Sequence, residues 1–590
     1  MKKRRLYHIL LATTLFINTF SPFIVSAKNL SDVVISESNV NKDIVEARKD
    51  DLNFLITTLE NKHPNMYNKN DKAVFEKKIK EVESNLDKMN DFEFGINLCE
   101  ILSLIGDSHT KPAIGNLLGE DAHFLPLNFA IVDEGLLISA APNENKQVLG
   151  GILTSINGYS MEEIKQKLMP FLIFDNQVYL DKEFVNSFYI YEILEYYNIL
   201  NSPENISLGI KIGDKEENIN LNAVDSETMK SIGLVKLERP IPETEKDRSK
   251  IYFFKPLDSS TLYIQYNSCR EDENLPMETF AKQVEDALNE KGYDRVILDL
   301  RYNGGGSDGV LIPLMNTLEE KYRKGEIQLY TLIGSNTFSS ALINSVMLKD
   351  IGSIMVGTPT GGSVDHFGEV DVFELPNSKI KVQYSNKFFD LSTLLKSAKP
   401  YDVEPFKPDI LLYQTREDYL AGKDTAVEYI LNDTKNKPII KPNITRAELA
   451  VELGRDYAKR TGKTFNSLQH TFEDVGRVSY FMPYVVWAND NKIMVGQDEK
   501  TFLPDKELTK GELAVVLMRY ADLIQLHLNN ITKNQKEILD INTIKPWQQK
   551  AVNTFGGTNI FPLVNGKFNP DEIVSRETFE NIFKEFKELK

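Results

Sequence analysis

Arg295-Val-Ile-Leu-Asp-Leu-Arg-Tyr-Asn-Gly-Gly-Gly306 is the stretch that decides the fold. It reads as a buried strand, Arg295 to Leu300, running straight into a polar turn and three glycines. Working outward, Gln328 to Gly334 reads as a second strand, Ala341 to Leu348 as a helix, and Ser353 to Gly357 as a third strand. From about Ile251 to Leu431 strands and helices alternate, the spacing of a sheet with crossover helices.

Upstream, the apolar period is helical. Leu52, Leu55, Ile56 and Leu59 share a face, as do Phe75, Ile79, Val82 and Leu86, and then Phe94, Leu98, Ile101 and Ile105. This predicts a helical cap over 43–115, with residues 28 to 42 a polar, flexible start. The helical pattern stops at Gly106-Asp-Ser-His-Thr110. Over 116–225 the pattern changes to short strands. Phe129 to Val132 and Gly135 to Ile138 read as a hairpin. A strand follows that ends at the Asn157-Gly158 turn, and then a helix from Met161 to Leu172. Gly151 before the strand and Asn157-Gly158 after it resemble the PDZ-type peptide-binding module. Asn432 to Asn443 reads as a linker between a core at 226–431 and a last region at 440–590.

Three segments carry candidate chemistry. They are the Gly106 to Thr110 loop, the Asn303-Gly-Gly-Gly306 loop, and Thr337-Phe-Ser-Ser-Ala341. A serine becomes a nucleophile when a base takes its proton and donors hold the oxyanion. Ser339 lies at a strand-to-helix junction, where the Ser340 amide is a free helix N-terminal donor. Gly304 or Gly305 offers a second backbone donor. His109 is the natural base, with His366 the runner-up and His63 structural. Taken singly, the features are bland. Ser-Ser before a helix is more often an N-cap, and three glycines after a strand are more often a turn. No Gly-Lys-Ser/Thr follows, so the glycines are not a phosphate loop.

Together, in this order, the segments resemble the tail-specific (C-terminal processing) serine peptidases, a family with tricorn-core and chlamydial-protease-like branches. Val356-Gly-Thr-Pro-Thr-Gly-Gly362, Phe373-Glu-Leu-Pro-Asn-Ser378 and Pro408-Asp-Ile410 extend the match, which spans about residues 50 to 431. The resemblance implies an α/β multidomain chain with a helical N-terminal cap, a PDZ-like β module and a crotonase- or Clp-like α/β core. It also implies endopeptidase activity on proteins or peptides, without a cofactor. Ser339 then looks like the nucleophile, with Ser340 and Gly304 or Gly305 as the oxyanion hole. Many members of the family use a lysine shortly after Gly-x-Pro-Thr, and here Ser363 follows Gly362. The tricorn-like alternative uses a histidine, here His109, beside a polar residue, here Ser108. A carboxylate late in the domain, Asp402 or Glu404, would orient the histidine.

The last 150 or so residues repeat internally. Phe502 lies 28 positions after Asp474, and Phe568 lies 28 positions after Asp540. Leu508-Thr-Lys510 and Val574-Ser-Arg576 follow at the same offset. Ile444-Thr-Arg446-Ala-Glu448 is a half-copy whose front is missing or merged with the preceding domain. The pattern resembles α-helical S-layer homology repeats, usually three, which bind pyruvylated secondary cell-wall polysaccharide. Arg446, Lys510 and Arg576 occupy the helix starts that hold the basic ligand-binding residue. The second copy has Lys for Arg.

The bulk properties agree with an exported enzyme. Residues 1–27 combine Lys2, Lys3, Arg4 and Arg5 with an apolar stretch and Val25-Ser-Ala27, a secretory signal peptide. Removing those four basic residues takes the net charge from −17 to −21. This acidity excludes a nucleic-acid partner, and it means that wall attachment needs local cations. With 41% apolar residues, the 590-residue chain is globular rather than disordered. Cys99 and Cys269 read as buried thiols, and no Cys or His pair has metal-ligand spacing. The sequence therefore predicts a secreted, wall-attached serine endopeptidase. The alternative is a non-catalytic surface binding protein on the same scaffold.

Overall fold

The computed structural model describes residues 37–590 apart from 120–121, 464, 466–471, 477–478, 529–530, 532, 536 and 590. The proposed signal peptide lies outside the described residues. The three helices of the cap are Glu37–Lys62, Lys72–Glu83 and Asp91–Ser103. The first starts at Glu37, inside the stretch expected to be flexible. Asn90 and Glu93 close the third helix with a reciprocal capping box, which fixes its start.

The β module follows the expected hairpin, with Asn128–Val132 antiparallel to Gly135–Ala141 and Val132 opposite Gly135. Two helices not anticipated from the sequence, Gln177–Ser187 and Tyr191–Tyr196, belong to the same stretch. Cap and module share one core, in which Leu98 and Ile101 join Leu153, Ile156 and Leu180.

The main sheet has six strands. Tyr252–Pro256 is antiparallel to Thr261–Tyr266, and Arg295–Asp299, Gln328–Ile333, Ile354–Gly357 and Ile410–Leu411 continue in parallel. Val296, Ile297 and Leu298 are wholly buried, because helices cover the faces of the sheet. A hairpin, His366–Glu374 with Lys381–Phe389, leaves this unit and reaches the cap. Its strand Lys381–Phe389 pairs with Lys111–Pro112, Lys111 opposite Gln383. Val382 and Tyr384 thereby enter the core of the cap. This cross-pairing brings the loop 106–110 against the main sheet.

In the last region the equal 28-residue spacings have a physical cause. Asp474 accepts from the Phe502 and Leu503 amides at 2.8 and 2.7 Å. Asp540 accepts from Phe568 and Asn569, both at 2.8 Å. The three helices Arg446–Thr461, Lys510–Leu523 and Arg576–Lys587 are joined at their starts by a cyclic ladder. Ile444 donates to Val574, Val574 to Leu508, and Leu508 back to Ile444. The core domain packs against the first two copies. Glu319 accepts from the Tyr480 amide at 3.0 Å, Arg323 pairs with Asp505 at 2.6 Å, and Arg455 pairs with Glu320 at 2.7 Å.

Asp540→Ala removes two charge-assisted bonds and leaves two amides to find new acceptors. It is expected to lower the stability of the last region by about 2–4 kcal/mol. Urea unfolding of the full chain, followed by Trp547 and Trp487 emission, measures this. An unchanged midpoint would remove the structural role assigned to Asp540.

Candidate functional site

Ser339 sits where strand Gln328–Ile333 passes through a short turn into helix Ser340–Asp350. Its backbone is at φ 53°, ψ −128°. A residue with a Cβ is held there only at a cost of roughly 1–3 kcal/mol. The surroundings enforce it. The Phe338 amide donates to the Asn303 carbonyl at 3.1 Å. The Thr337 hydroxyl donates to the Leu300 carbonyl at 2.9 Å, and the Ser340 hydroxyl donates to the Gly306 carbonyl at 2.7 Å. The Ser339 side chain makes no capping bond to its helix. Its half-exposed hydroxyl is left over by the local structure.

The glycine loop folds directly onto this serine. A Cβ on Gly305, which has φ +107°, would lie 2.8 Å from the Ser339 Cβ. A Cβ on Gly306 would lie 2.2 Å from the carbonyl oxygen of Cys269. Both positions therefore require glycine. The Gly305 amide already donates to Asn303 Oδ1 at 2.9 Å. The amides of exposed Gly304 and of Ser340 meet no acceptor among the described residues. Cys269 is a buried free thiol that supports this loop, and Cys99 is a second one under the cap.

His109 stacks on Phe338, the residue before Ser339, with ring centres 4.4 Å apart. His366 stacks behind it at 5.8 Å, and Phe389 behind His366 at 5.2 Å. Both His109 nitrogens are buried and without a hydrogen bond, the one to Ser339 included. Burial lowers its pKa to about 4 against the opposing charge of Asp107, so the ring is neutral at pH 7. Asp107 Oδ1 is 3.8 Å from His109 Nδ1. Asp107 itself accepts from His63 Nε2 at 3.1 Å, Thr110 Oγ1 at 2.5 Å, Ser385 Oγ at 2.7 Å and the His109 amide at 2.8 Å. Burial would raise its pKa, yet the His63 bond, the His109 ring and the two hydroxyls hold it near 2.

The carboxylates expected near the end of the domain stand elsewhere. Asp402 is exposed, and Glu404, 61% exposed, pairs with Lys407 at 2.9 Å. Only their backbones approach the site, through bonds from Asp365 and Val364. Ser108 donates to Asp175 Oδ1 at 2.5 Å and accepts from the Asp175 amide at 3.1 Å. Burial raises Asp175 to about 6. Sequence reasoning missed Asp175, although Asn176 is a visible cap for the helix that follows. Among the described residues no group of three or more His, Cys, Asp or Glu is placed to hold a metal ion, and no helix is long and apolar enough to cross a membrane.

The three basic residues of the last region differ in their surroundings. Arg446 donates only to backbone, to Phe502 at 2.9 Å and Val495 at 2.7 Å, and lies over the Phe502 ring at 4.6 Å. It lines a cavity of about 420 Å³ with Gly496, Arg519 and half-exposed Trp547. Lys510 is buried against the Phe568 ring, 3.9 Å from Glu572. Arg576 is neutralised by buried Glu448 at 2.5 Å.

Residues 471–514 match the S-layer homology domain. The matched stretch covers Asp474, Phe502 and Lys510, and so the first of the two equal spacings. No curated protein matches the chain. Among solved structures, mature CPAF complexed with lactacystin is 13% identical, with 66% of this chain and 97% of that one covered at a TM-score of 0.46. The photosystem II D1 C-terminal processing protease is 12% identical, with 66% and 99% covered at a TM-score of 0.30.

Asp107→Asn should weaken four contacts at once, and a loss of about 2–4 kcal/mol is expected at pH 7. The folded-state pKa near 2 lies below the ordinary 3.8. The carboxylate's contribution is therefore complete above pH 3.8 and disappears as pH falls towards 2. Thermal unfolding of both proteins between pH 3 and 8 checks this. A wild-type–variant difference that is the same at pH 3 and pH 7 would contradict it.

Proposed function

We propose that this chain is a serine peptidase attached to the cell wall by its S-layer homology region. One observation carries the peptidase reading. Ser339 occupies a strained strand-to-helix turn and does not cap its helix, which is the arrangement of a nucleophile elbow. The order of motifs that resembles the tail-specific serine peptidases supports the same reading.

In this mechanism the Ser339 hydroxyl attacks a peptide carbonyl. His109, neutral because it is buried, accepts the proton at Nε2, since Nδ1 faces Asp107. We assign the orienting carboxylate to Asp107 in place of Asp402 or Glu404. Ser108 and Asp175 brace the loop from the other side. The Ser340 and Gly304 amides receive the oxyanion, because the Gly305 amide is already committed to Asn303. His109 then protonates the leaving amine, and water resolves the acyl-enzyme.

Ser339→Ala should lower cleavage of an unstructured protein by at least about 10³-fold and abolish labelling by a fluorophosphonate. Unlabelled wild type would favour a binding protein on this scaffold. The acid limb of kcat/KM should fall near pH 4, because His109 serves as base only while neutral and its pKa is held at about 4. A limb at pH 6.5 or above would exclude this histidine environment.

For the wall module, Arg446 is the cation best placed for an anionic polysaccharide, because among the described residues no carboxylate lies within ion-pair distance of it, Glu512 and Asp474 acting on it only from farther away, and it lines a cavity. Arg446→Ala should weaken binding of the full chain to purified walls by about tenfold or more, and Arg576→Ala by much less. Equal effects in a sedimentation assay would reject this ranking.

A further inference from the structure

Two lysines packed on Phe338 and its neighbour Tyr179 play no part in the mechanism above. Lys182 lies on helix Gln177–Ser187, with its ammonium 5.2 Å from the ring centre of Tyr179 and 5.6 Å from that of Phe338. Phe338 is the same ring that carries His109 and immediately precedes the nucleophile. Lys111 directly follows the 106–110 loop, and its ammonium reaches the Tyr179 hydroxyl at 3.4 Å. Tyr179 in turn packs on Phe338 at 4.8 Å. Both cations thus converge on one aromatic pair, of which Phe338 immediately precedes Ser339.

Neither ammonium forms an ion pair among the described residues. Lys78, less deeply buried than Lys182, pairs with Glu100 at 2.6 Å. A partly dehydrated ammonium without a counterion is costly, and it recovers that cost when an anion arrives. Burial lowers Lys182 to about 8, opposed by Glu183 and reinforced by Lys111. Glu183, the next residue on the helix, lies beyond ion-pair distance of Lys182 and acts on the same Tyr179, leaving one buried oxygen, Oε1, without a hydrogen bond.

We infer that Lys182 and Lys111 form a carboxylate-binding subsite that selects peptides with an acidic side chain close to the bond presented to Ser339. The inference rests on the reading of Ser339 as nucleophile, and its test is chosen to separate the two. The probe is a set of fluorescein-labelled peptides of one host sequence. A single Glu is moved through each position and compared with Gln at the same position. Binding to the Ser339→Ala chain is read by anisotropy, and cleavage by the wild type is read in parallel.

At one or two adjacent positions Glu should bind about tenfold more tightly than Gln. The difference should vanish when Lys182→Met is added and persist with Lys182→Arg. Cleavage by the wild type should show the same preference. Equal binding of Glu and Gln peptides at every position overturns the subsite, as does a preference that survives Lys182→Met combined with Lys111→Met. If the wild type neither cleaves nor takes up a fluorophosphonate, the nucleophile reading fails, and the anisotropy result still decides the subsite.

Discussion

The site depends on one buried carboxylate. Asp107 gathers His63 from just past the first helix of the cap, Thr110 from its own loop and Ser385 from the hairpin of the core. These donors come from three separate parts of the chain. Their shared acceptor fixes where the cap meets the main sheet, and His109 is carried to Phe338 as a result. A buried ionised group is tolerated when it is this fully hydrogen-bonded. The same satisfied charge then lies near an imidazole whose nitrogens make no hydrogen bond among the described residues.

Around that hub, precision is divided between two kinds of constraint. The loop 106–110 is held by side chains. The loop 303–306 and the turn at Ser339 are held by backbone, through close approaches that only glycine allows. Each half of the site is thus stiffened by its own packing, and the two halves meet through stacked rings rather than through hydrogen bonds. Stacking fixes the distance between ring planes while leaving rotation within the plane cheap.

Much of this was legible in the sequence, and the reasons are specific. The strand before Gly304 is marked by its unbroken apolar run, the cap by three helical stripes, and the repeat by two identical spacings that turn out to be amide bonds to Asp474 and Asp540. These are local patterns, and local patterns are written in order along the chain. Asp175, Lys182 and the pairing of Lys111 with Gln383 were not legible. They depend on segments about 65 to 270 positions apart meeting in space, and no period in the sequence encodes that. Asp402 and Glu404 illustrate the same limit. Their position in the chain suited an orienting role, and only the backbone of that stretch reaches the site.

The cyclic ladder of Ile444, Val574 and Leu508 has a consequence of its own. A linear stack of repeats can gain or lose a unit at either end and remain a shorter stack. A ring cannot. Here the residue entering the ring and the one opening its final helix are direct neighbours, so the count of three is set by closure. The first member brings only its helix, and the core domain contacts the ring through Glu319, Glu320 and Arg323. The ring is thus tied to the core domain by direct contacts, which makes the repeat region and the core one packed unit instead of two beads on a string.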